Sequence, residues 1–190
     1  LDGINDYIDF GDSTEFQMGT SDFSLSLWVE YNSTQLGYIF GKRTSLNNYE
    51  AYGFAVGGNL MGVPTSGIEL SCMMRTGGIT KQFLGGDLRG GWHNIVLVYD
   101  FDGNSKLYVD NVAVQIFSTN YSTNLNILGS PLVIGYATAE NGMFYNGKID
   151  DIRIYNRTLD ALEIDSLFND ENPVNTAISE VDKLEEVVSF

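Results

Sequence analysis

Apolar and polar residues alternate along most of the chain, which is the pattern of β-strands that bury one face. In residues 23–29 serines alternate with large apolar residues, and residues 92–99 predict a strongly apolar, buried strand. Similar segments lie between turn-forming residues, at 7–10, 38–40, 52–56, 68–75, 79–84, 106–109, 112–114, 132–136 and 143–155. Roughly ten or more short strands in succession predict an all-β fold, an antiparallel two-sheet β-sandwich or jelly roll.

One segment near the end of the chain has a helical period instead. Apolar residues at 159, 162, 164, 167 and 168 predict one short C-terminal helix, with Thr158 as its N-cap and acidic residues near its positive end. Residues 171–190 are polar and acidic, with little bulk for a core. They predict a linker or peripheral tail, so that residues 1–170 form the domain.

Composition and charge narrow the possible partners. The 190 residues fit one domain and carry a net charge of −15, from 25 acidic and 10 basic side chains. That charge disfavours nucleic acid and anionic membranes, because phosphate contacts need clustered Lys and Arg. The sequence contains no run of about 18 apolar residues, which is the length that a helix needs to cross a bilayer. The single cysteine, Cys72, excludes an intrachain disulfide, and its apolar neighbours predict a buried side chain.

Four spaced motifs resemble those of the laminin-G-like (LamG-like) jelly-roll domains of the concanavalin A-like lectin/glucanase superfamily. They lie at residues 1–8, at 22–29, at 92–95 together with 107–111, and at 146–159 followed by Glu163 and Ile164. Their order matches the family's over about residues 1–168. The resemblance implies two curved antiparallel sheets packed face to face, and a secreted or cell-surface protein.

The resemblance also implies a structural calcium ion where the first strand meets the last. Calcium takes oxygen ligands from carboxylates, amides and main-chain carbonyls. The candidates in this sequence are Asp2, Gly3, Asn5, Asp151 and then Asp150. Neighbouring strand residues face opposite ways, so only one of the two adjacent aspartates would offer its side chain. The alternative, that these acids are solvated turn residues, stays open at this point.

Aromatic and polar residues between 31 and 54 suggest a glycan site. Neutral sugars bind through aromatic stacking and hydrogen bonds from amides, arginines and carboxylates. Five of the ten bases also fall between residues 42 and 89, which could form a pocket for a carboxylate or sulfate. The candidate ligand-binding residues are Tyr38, Arg43, Asn48, Tyr49, Tyr52 and Arg75. Ordinary strand-face and loop positions would explain the same residues.

Catalytic motifs are weak. Glucanases of this superfamily use a Glu-x-Asp-x-x-Glu strand that projects paired carboxylates into one cleft. The nearest string, residues 163–168, lacks the last Glu and lies on the predicted helix. His93, the only histidine, is expected to be a structural residue at a strand start. We therefore predict a non-catalytic carbohydrate-binding module, for polysaccharide targeting or adhesion, within a secreted multidomain protein. The alternatives are a polysaccharide lyase or glycoside hydrolase on the same fold, or a protein–protein adhesion domain.

Overall fold

The computed structural model describes residues 1–44, 51–57, 69–118, 124–137, 143–170 and 173. These residues form eleven β-strands and one α-helix. The elements are β1 (Ile8–Asp9), β2 (Phe23–Tyr31), β3 (Gly37–Arg43), β4 (Ala51–Val56), β5 (Glu69–Thr76), β6 (Ile79–Asp87), β7 (Trp92–Tyr99), β8 (Asn104–Val109), β9 (Val112–Ser118), β10 (Leu132–Ile134), β11 (Gly147–Tyr155) and α1 (Ala161–Asp170).

The strands form two antiparallel sheets. The six-stranded sheet has the order β1-β10-β3-β4-β5-β6, and the five-stranded sheet has the order β11-β2-β7-β8-β9. The predicted fold class, an antiparallel two-sheet β-sandwich with one short helix, is confirmed. Of the predicted tail, only residue 173 falls within the described residues.

The main core lies between the sheets because alternate residues of each strand point inward. In β2, Leu25, Leu27 and Val29 are buried in this core. Tyr52 and Phe54 of β4 and Cys72 of β5 face them from the six-stranded sheet. Full burial of each large apolar side chain contributes about 1.5–3 kcal/mol, so this layer supplies the dominant stabilisation. The expected burial of Cys72 is confirmed, and burial raises the pKa of its thiol.

Helix α1 covers the outer face of the five-stranded sheet. Leu159, Ile164 and Leu167 pack against Val96 and Val98 of β7. The ring of Phe168 stacks on that of Trp28, with centroids 5.8 Å apart.

The helix begins later than the sequence predicted. Its N-cap is Asp160, not Thr158, because the Asp160 carboxylate accepts the backbone N–H groups of Leu162 and Glu163, each at 2.9 Å. The Glu163 carboxylate accepts the Asp160 N–H in return, which completes a capping box.

The two sides of the sandwich differ. On one side β6 approaches β9, and the rings of Phe83 and Phe117 stack with centroids 3.6 Å apart. On the other side, the edge strands are β1 and β11.

The chain start lies at the beginning of β11, as the family resemblance implied. The Leu1 amino group donates to the Gly147 carbonyl at 3.0 Å, and the Gly147 N–H donates to the Leu1 carbonyl at 3.1 Å. Asp2 and Asn146 form the next bridge. Among the described residues, no helix is both long and apolar enough to cross a membrane.

Candidate functional site

Three aromatic side chains form a partly exposed cluster at one end of the sandwich. The rings of Tyr7 and Tyr136 lie 5.4 Å apart and are tilted by 42°, and the rings of Tyr136 and Phe144 stack at 4.5 Å and 19°. Tyr7 is 51% exposed, and the other two side chains are half-buried. We call Tyr7, Tyr136 and Phe144 the aromatic rim.

Backbone pairing brings these distant residues together. Tyr7 immediately precedes β1, and Tyr136 follows β10, which pairs with β1 through Ile8 and Ile134. Between β10 and Tyr136, the Gly135 N–H donates to the Ile39 carbonyl, and its own carbonyl accepts the N–H of Tyr145. Gly135 has a φ of +84°, and a Cβ there would lie 2.8 Å from the Leu1 side chain. The turn that holds the rim therefore requires glycine.

Polar groups border the aromatic rim. Asp6 directly precedes Tyr7, and its carboxylate accepts the Asp2 N–H at 3.1 Å. Asp2 in turn accepts the Ile4 N–H at 2.8 Å, and it bridges to Asn146, two residues after Phe144. Asp2, Asp6 and Asn146 are all exposed. Aromatic faces beside carboxylate and amide groups offer both kinds of contact that a neutral sugar uses.

The structure does not bring the described residues that were predicted to bind a ligand into one exposed site. Tyr38, Arg43 and Arg75 lie on the outer face of the six-stranded sheet. Arg43 and Arg75 both pair with Ala51, so they stand two strands apart, about 10 Å. Tyr38 is 1% exposed and Arg43 is 5% exposed, so neither side chain is open to solvent. Arg75 is half-buried and donates to the Thr80 hydroxyl at 2.7 Å. Asn48 and Tyr49 lie outside the described residues.

Tyr52 requires a correction. Its side chain is fully buried in the main core, and its hydroxyl donates to the Phe16 carbonyl at 2.8 Å. Burial raises the pKa of this hydroxyl. Tyr52 therefore supports the fold and does not contact a ligand on the sheet surface.

The bases between residues 42 and 89 are also dispersed. Lys42 is fully buried and bonds to the Asp12 carboxylate at 2.6 Å, which lowers the pKa of Asp12. Arg89 pairs with Asp87 at 2.8 Å and lowers the pKa of that carboxyl. These ion pairs use two of the bases that suggested an anion pocket.

The predicted calcium ligands fall into two groups. Asp2 bridges to Asn146, and Gly3 lies against the Asn146 side chain, whereas Asp150 and Asp151 lie four and five residues further along the chain. At the rise of a strand, that separation is about 13 Å or more, too far for one coordination sphere. The Asp150 carboxylate accepts the Asp151 N–H at 2.9 Å, and Asp151 lies 3.7 Å from Arg153.

Asp2 and the Asp150–Asp151 pair are therefore separate candidates for calcium ligands, and the calcium site stays a prediction. Within the described residues, no group of three or more His, Cys, Asp or Glu side chains could hold a metal ion.

His93 has a structural partner. Its Nδ1 lies 2.7 Å from Asp110, whose other carboxylate oxygen accepts the Asn94 N–H at 2.9 Å. The hydrogen bond to Asp110 raises the pKa of His93. Asp110 and Asn111 have φ values of 51° and 63°, as a tight hairpin turn between β8 and β9 requires. The pair thus fixes a turn to the start of β7.

Sequence reasoning missed the aromatic rim. Tyr7 lies more than a hundred residues from Tyr136 and Phe144, and only the pairing of β1 with β10 brings them together. The one local signal was Tyr136, an aromatic residue that directly follows Gly135.

A model of the concanavalin A-like lectin/glucanases superfamily matches residues 2–165. No curated protein sequence matches the chain. Among solved structures, the binding domain of Paraclostridial Mosquitocidal Protein 1 aligns with a TM-score of 0.67 and 17% identity, over 90% of this chain and 42% of that one.

Two further structures share the fold. Domain 4 of AbnA, an extracellular arabinanase from Geobacillus stearothermophilus, in complex with arabinotriose, aligns with a TM-score of 0.64 and 17% identity, over 89% of this chain and 75% of that one. The binding domain of botulinum neurotoxin serotype G aligns with a TM-score of 0.63 and 18% identity, over 90% of this chain and 42% of that one. The chain thus spans about two fifths of each toxin binding domain.

Proposed function

Because the chain belongs to the laminin-G-like family of the concanavalin A-like lectin/glucanases superfamily, we propose that it is a non-catalytic carbohydrate-binding module. Its ligand is a polysaccharide or surface glycan, and it serves targeting or adhesion within a larger secreted or cell-surface protein. The similar solved structures are named as binding domains or as a domain in complex with arabinotriose, which supports binding over catalysis.

The aromatic rim carries this proposal. Tyr7 exposes half of its surface beside Asp6, and its ring is held against Tyr136. The exposed Asp2, Asp6 and Asn146 side chains would supply hydrogen-bonding groups for the hydroxyls of a sugar that stacks on Tyr7. Because the Tyr7 ring is already held in place, less conformational entropy is lost when a sugar binds.

Binding to insoluble and soluble polysaccharides tests the proposal, with arabinan and arabinotriose as first probes. We expect Tyr7→Ala and Tyr136→Ala each to weaken binding about fivefold or more, in line with the loss of a central aromatic contact. Leu162→Ala, which removes an 80% exposed side chain on α1, is the matched control and should bind like the parent protein.

Two results would contradict the proposal. One is a lack of binding across a broad glycan array. The other is glycan binding that both tyrosine variants retain in full. Release of shortened oligosaccharides during the same incubation would instead favour the lyase or hydrolase alternative.

A further inference from the structure

Three carboxylates accompany the exposed ring of Tyr7 in the aromatic rim. Asp6 directly precedes Tyr7, and the Asp6 carboxylate accepts the backbone N–H of Asp2 at 3.1 Å. Side chains two residues apart along an extended chain point to the same face, with Cα atoms about 7 Å apart, which places Asp9 on the face of Tyr7. All three aspartates are exposed. We call Asp2, Asp6 and Asp9 the rim carboxylates.

Backbone N–H groups hold each rim carboxylate by one oxygen. The Asp2 carboxylate accepts the Ile4 N–H at 2.8 Å, and the Asp9 carboxylate accepts the Gly11 N–H at 2.7 Å. Among the residues that the structure describes, no side chain or backbone group donates to the second oxygen of any of the three. The rim carboxylates are therefore oriented acceptors that a ligand can still use.

The basic side chains that form ion pairs within the described part of the chain do so away from the rim carboxylates. The pairs are Lys42 with Asp12, Arg89 with Asp87, Lys148 with Glu30, Arg153 with Asp151, and Arg157 with Glu163. Residues 1–41 contain seven acidic residues and no Lys, Arg or His. The negative charge beside Tyr7 is therefore not neutralised by a neighbouring base.

The aromatic part of the site favours the same sign of ligand charge. The face of a tyrosine ring carries negative potential and attracts a cation that lies over it. Tyr7 is 51% exposed, so such a face is open to solvent. A carboxylate or sulfate on a glycan would be repelled by the rim carboxylates, whereas an ammonium group would be attracted by them and by the ring.

We propose that the aromatic rim binds glycans whose sugars carry free, protonated amino groups. This inference rests on the proposed glycan-binding function and names the class of sugar. The sugar ring stacks on Tyr7, and its ammonium groups pair with the rim carboxylates. Neutral sugars keep only the stacking and the hydroxyl contacts, and chains of uronic acids or sulfated sugars are repelled.

Calorimetric titration of the full chain with three tetrasaccharides tests the proposal. The β-1,4-linked tetramers of glucosamine, N-acetylglucosamine and glucose share one backbone and differ in the group at one carbon of each sugar. At about 0.15 M ionic strength, charges further away than about 8 Å are largely screened, so the net charge of the protein contributes little. We expect the glucosamine tetramer to bind at least fivefold more tightly than the other two.

Variants of single charges identify the source of this preference. Asp6→Asn and Asp9→Asn keep an oxygen for the backbone N–H, and each should reduce the preference about twofold to threefold, because exposed ion pairs are individually weak. Tyr7→Ala should weaken the binding of all three tetramers. Asp102→Asn is the matched control: Asp102 is exposed, in the turn between β7 and β8, at the end of the sandwich opposite to Gly147. It removes the same charge and should leave the preference unchanged.

The outcomes separate this inference from the proposed function. Binding of the neutral or N-acetylated tetramer that equals that of the glucosamine tetramer, and that Tyr7→Ala weakens, would overturn the inference and leave glycan binding at the rim intact. A preference for glucosamine that Asp102→Asn reduces as much as Asp6→Asn does would also overturn it, because net charge would then be the cause. Failure of all three tetramers to bind would overturn it as well, and the polysaccharide and array assays would then decide the proposed function separately.

Discussion

Asp110 has two roles at the turn between β8 and β9. Its φ of 51° is tolerated because Asp is among the few non-glycine residues that enter the left-handed region. Its carboxylate also holds the Asn94 N–H and the His93 ring. One side chain thus shapes the turn and attaches it to β7.

This pair predicts a pH dependence of stability. The folded-state pKa of His93 is raised above its ordinary value of 6.5, chiefly by the hydrogen bond to Asp110. A raised folded-state pKa stabilises the protein below the unfolded-state pKa, and this contribution is lost as pH rises through the folded-state value. We expect the melting temperature to fall from pH 6 towards pH 8.

Asp110→Asn tests the cause, because Asn also suits this turn. NMR titration should show a lower His93 pKa in the variant and a weaker dependence of melting temperature on pH. A His93 pKa that the substitution leaves unchanged would contradict the assignment.

At the scale of elements, helix α1 owes its start to a capping box and its position to two buried side chains, Ile164 and Leu167. Arg157 reinforces the box by pairing with Glu163, which together with the Asp160 N–H lowers the pKa of Glu163 to about 2. The side chain of Ser24 in β2 bonds to both the Arg157 carbonyl and the Leu159 N–H, and so fixes the approach of the helix to its sheet.

The position of the cap can be measured. Asp160→Ala should destabilise the protein by about 0.5–2 kcal/mol, because two helix N–H groups lose their acceptor. Thr158→Ala is the control and should change the free energy of unfolding by less than about 0.5 kcal/mol. Urea denaturation of both variants provides the comparison. If Thr158→Ala destabilised the protein more than Asp160→Ala does, Thr158 would be the N-cap, as the sequence predicted.

At the scale of the whole molecule, the stacked rings of Phe83 and Phe117 fill one side of the sandwich, between β6 and β9. The aromatic rim lies at the end where the chain start meets the approach to β11. The proposed glycan region therefore uses residues that flank β1, β10 and β11.

Calcium stays a prediction of the family resemblance, and chelation tests it. Calcium at about a hundredfold excess over its dissociation constant would stabilise a binding protein by about 2.7 kcal/mol. At this chain length, that corresponds to a melting temperature roughly 5–10 °C higher than in EDTA. Asp2→Ala and Asp151→Ala, made separately, identify which group of acids is responsible. Equal melting temperatures in calcium and EDTA would reject the site.

The fold could be predicted from the sequence because alternation is a local signal. Phe23–Tyr31 and Trp92–Tyr99 were recognisable as strands without knowledge of their partners. The start of β11 was predicted at residue 143 and lies at Gly147. Before it, the Met143 carbonyl accepts the Tyr38 N–H, and Tyr145 donates to Gly135. These apolar residues are held by irregular pairings that no local pattern indicates.

The sites were harder to predict because they depend on register. Tyr38 and Arg43 are an odd number of residues apart, so an unbroken strand would place them on opposite faces. A bulge between Tyr38 and Phe40 brings them to the same face. Tyr52 pairs with Lys42 and points to the core. Neither the bulge nor the pairing can be obtained from residue types, and the aromatic rim depends on pairings of the same kind.

The stacking of Phe168 on Trp28 determines what tryptophan emission can report. The chain has two tryptophans, Trp28 beneath the helix and Trp92 beneath the ammonium group of Lys148. Both lie on the face of the five-stranded sheet that α1 covers, away from the tyrosines and phenylalanine of the rim. Trp28 emission would therefore report detachment of the helix, whereas Trp92 lies beneath Lys148, two residues from Asn146 at the edge of the rim. Ligand titrations are therefore better followed by tyrosine signals or calorimetry.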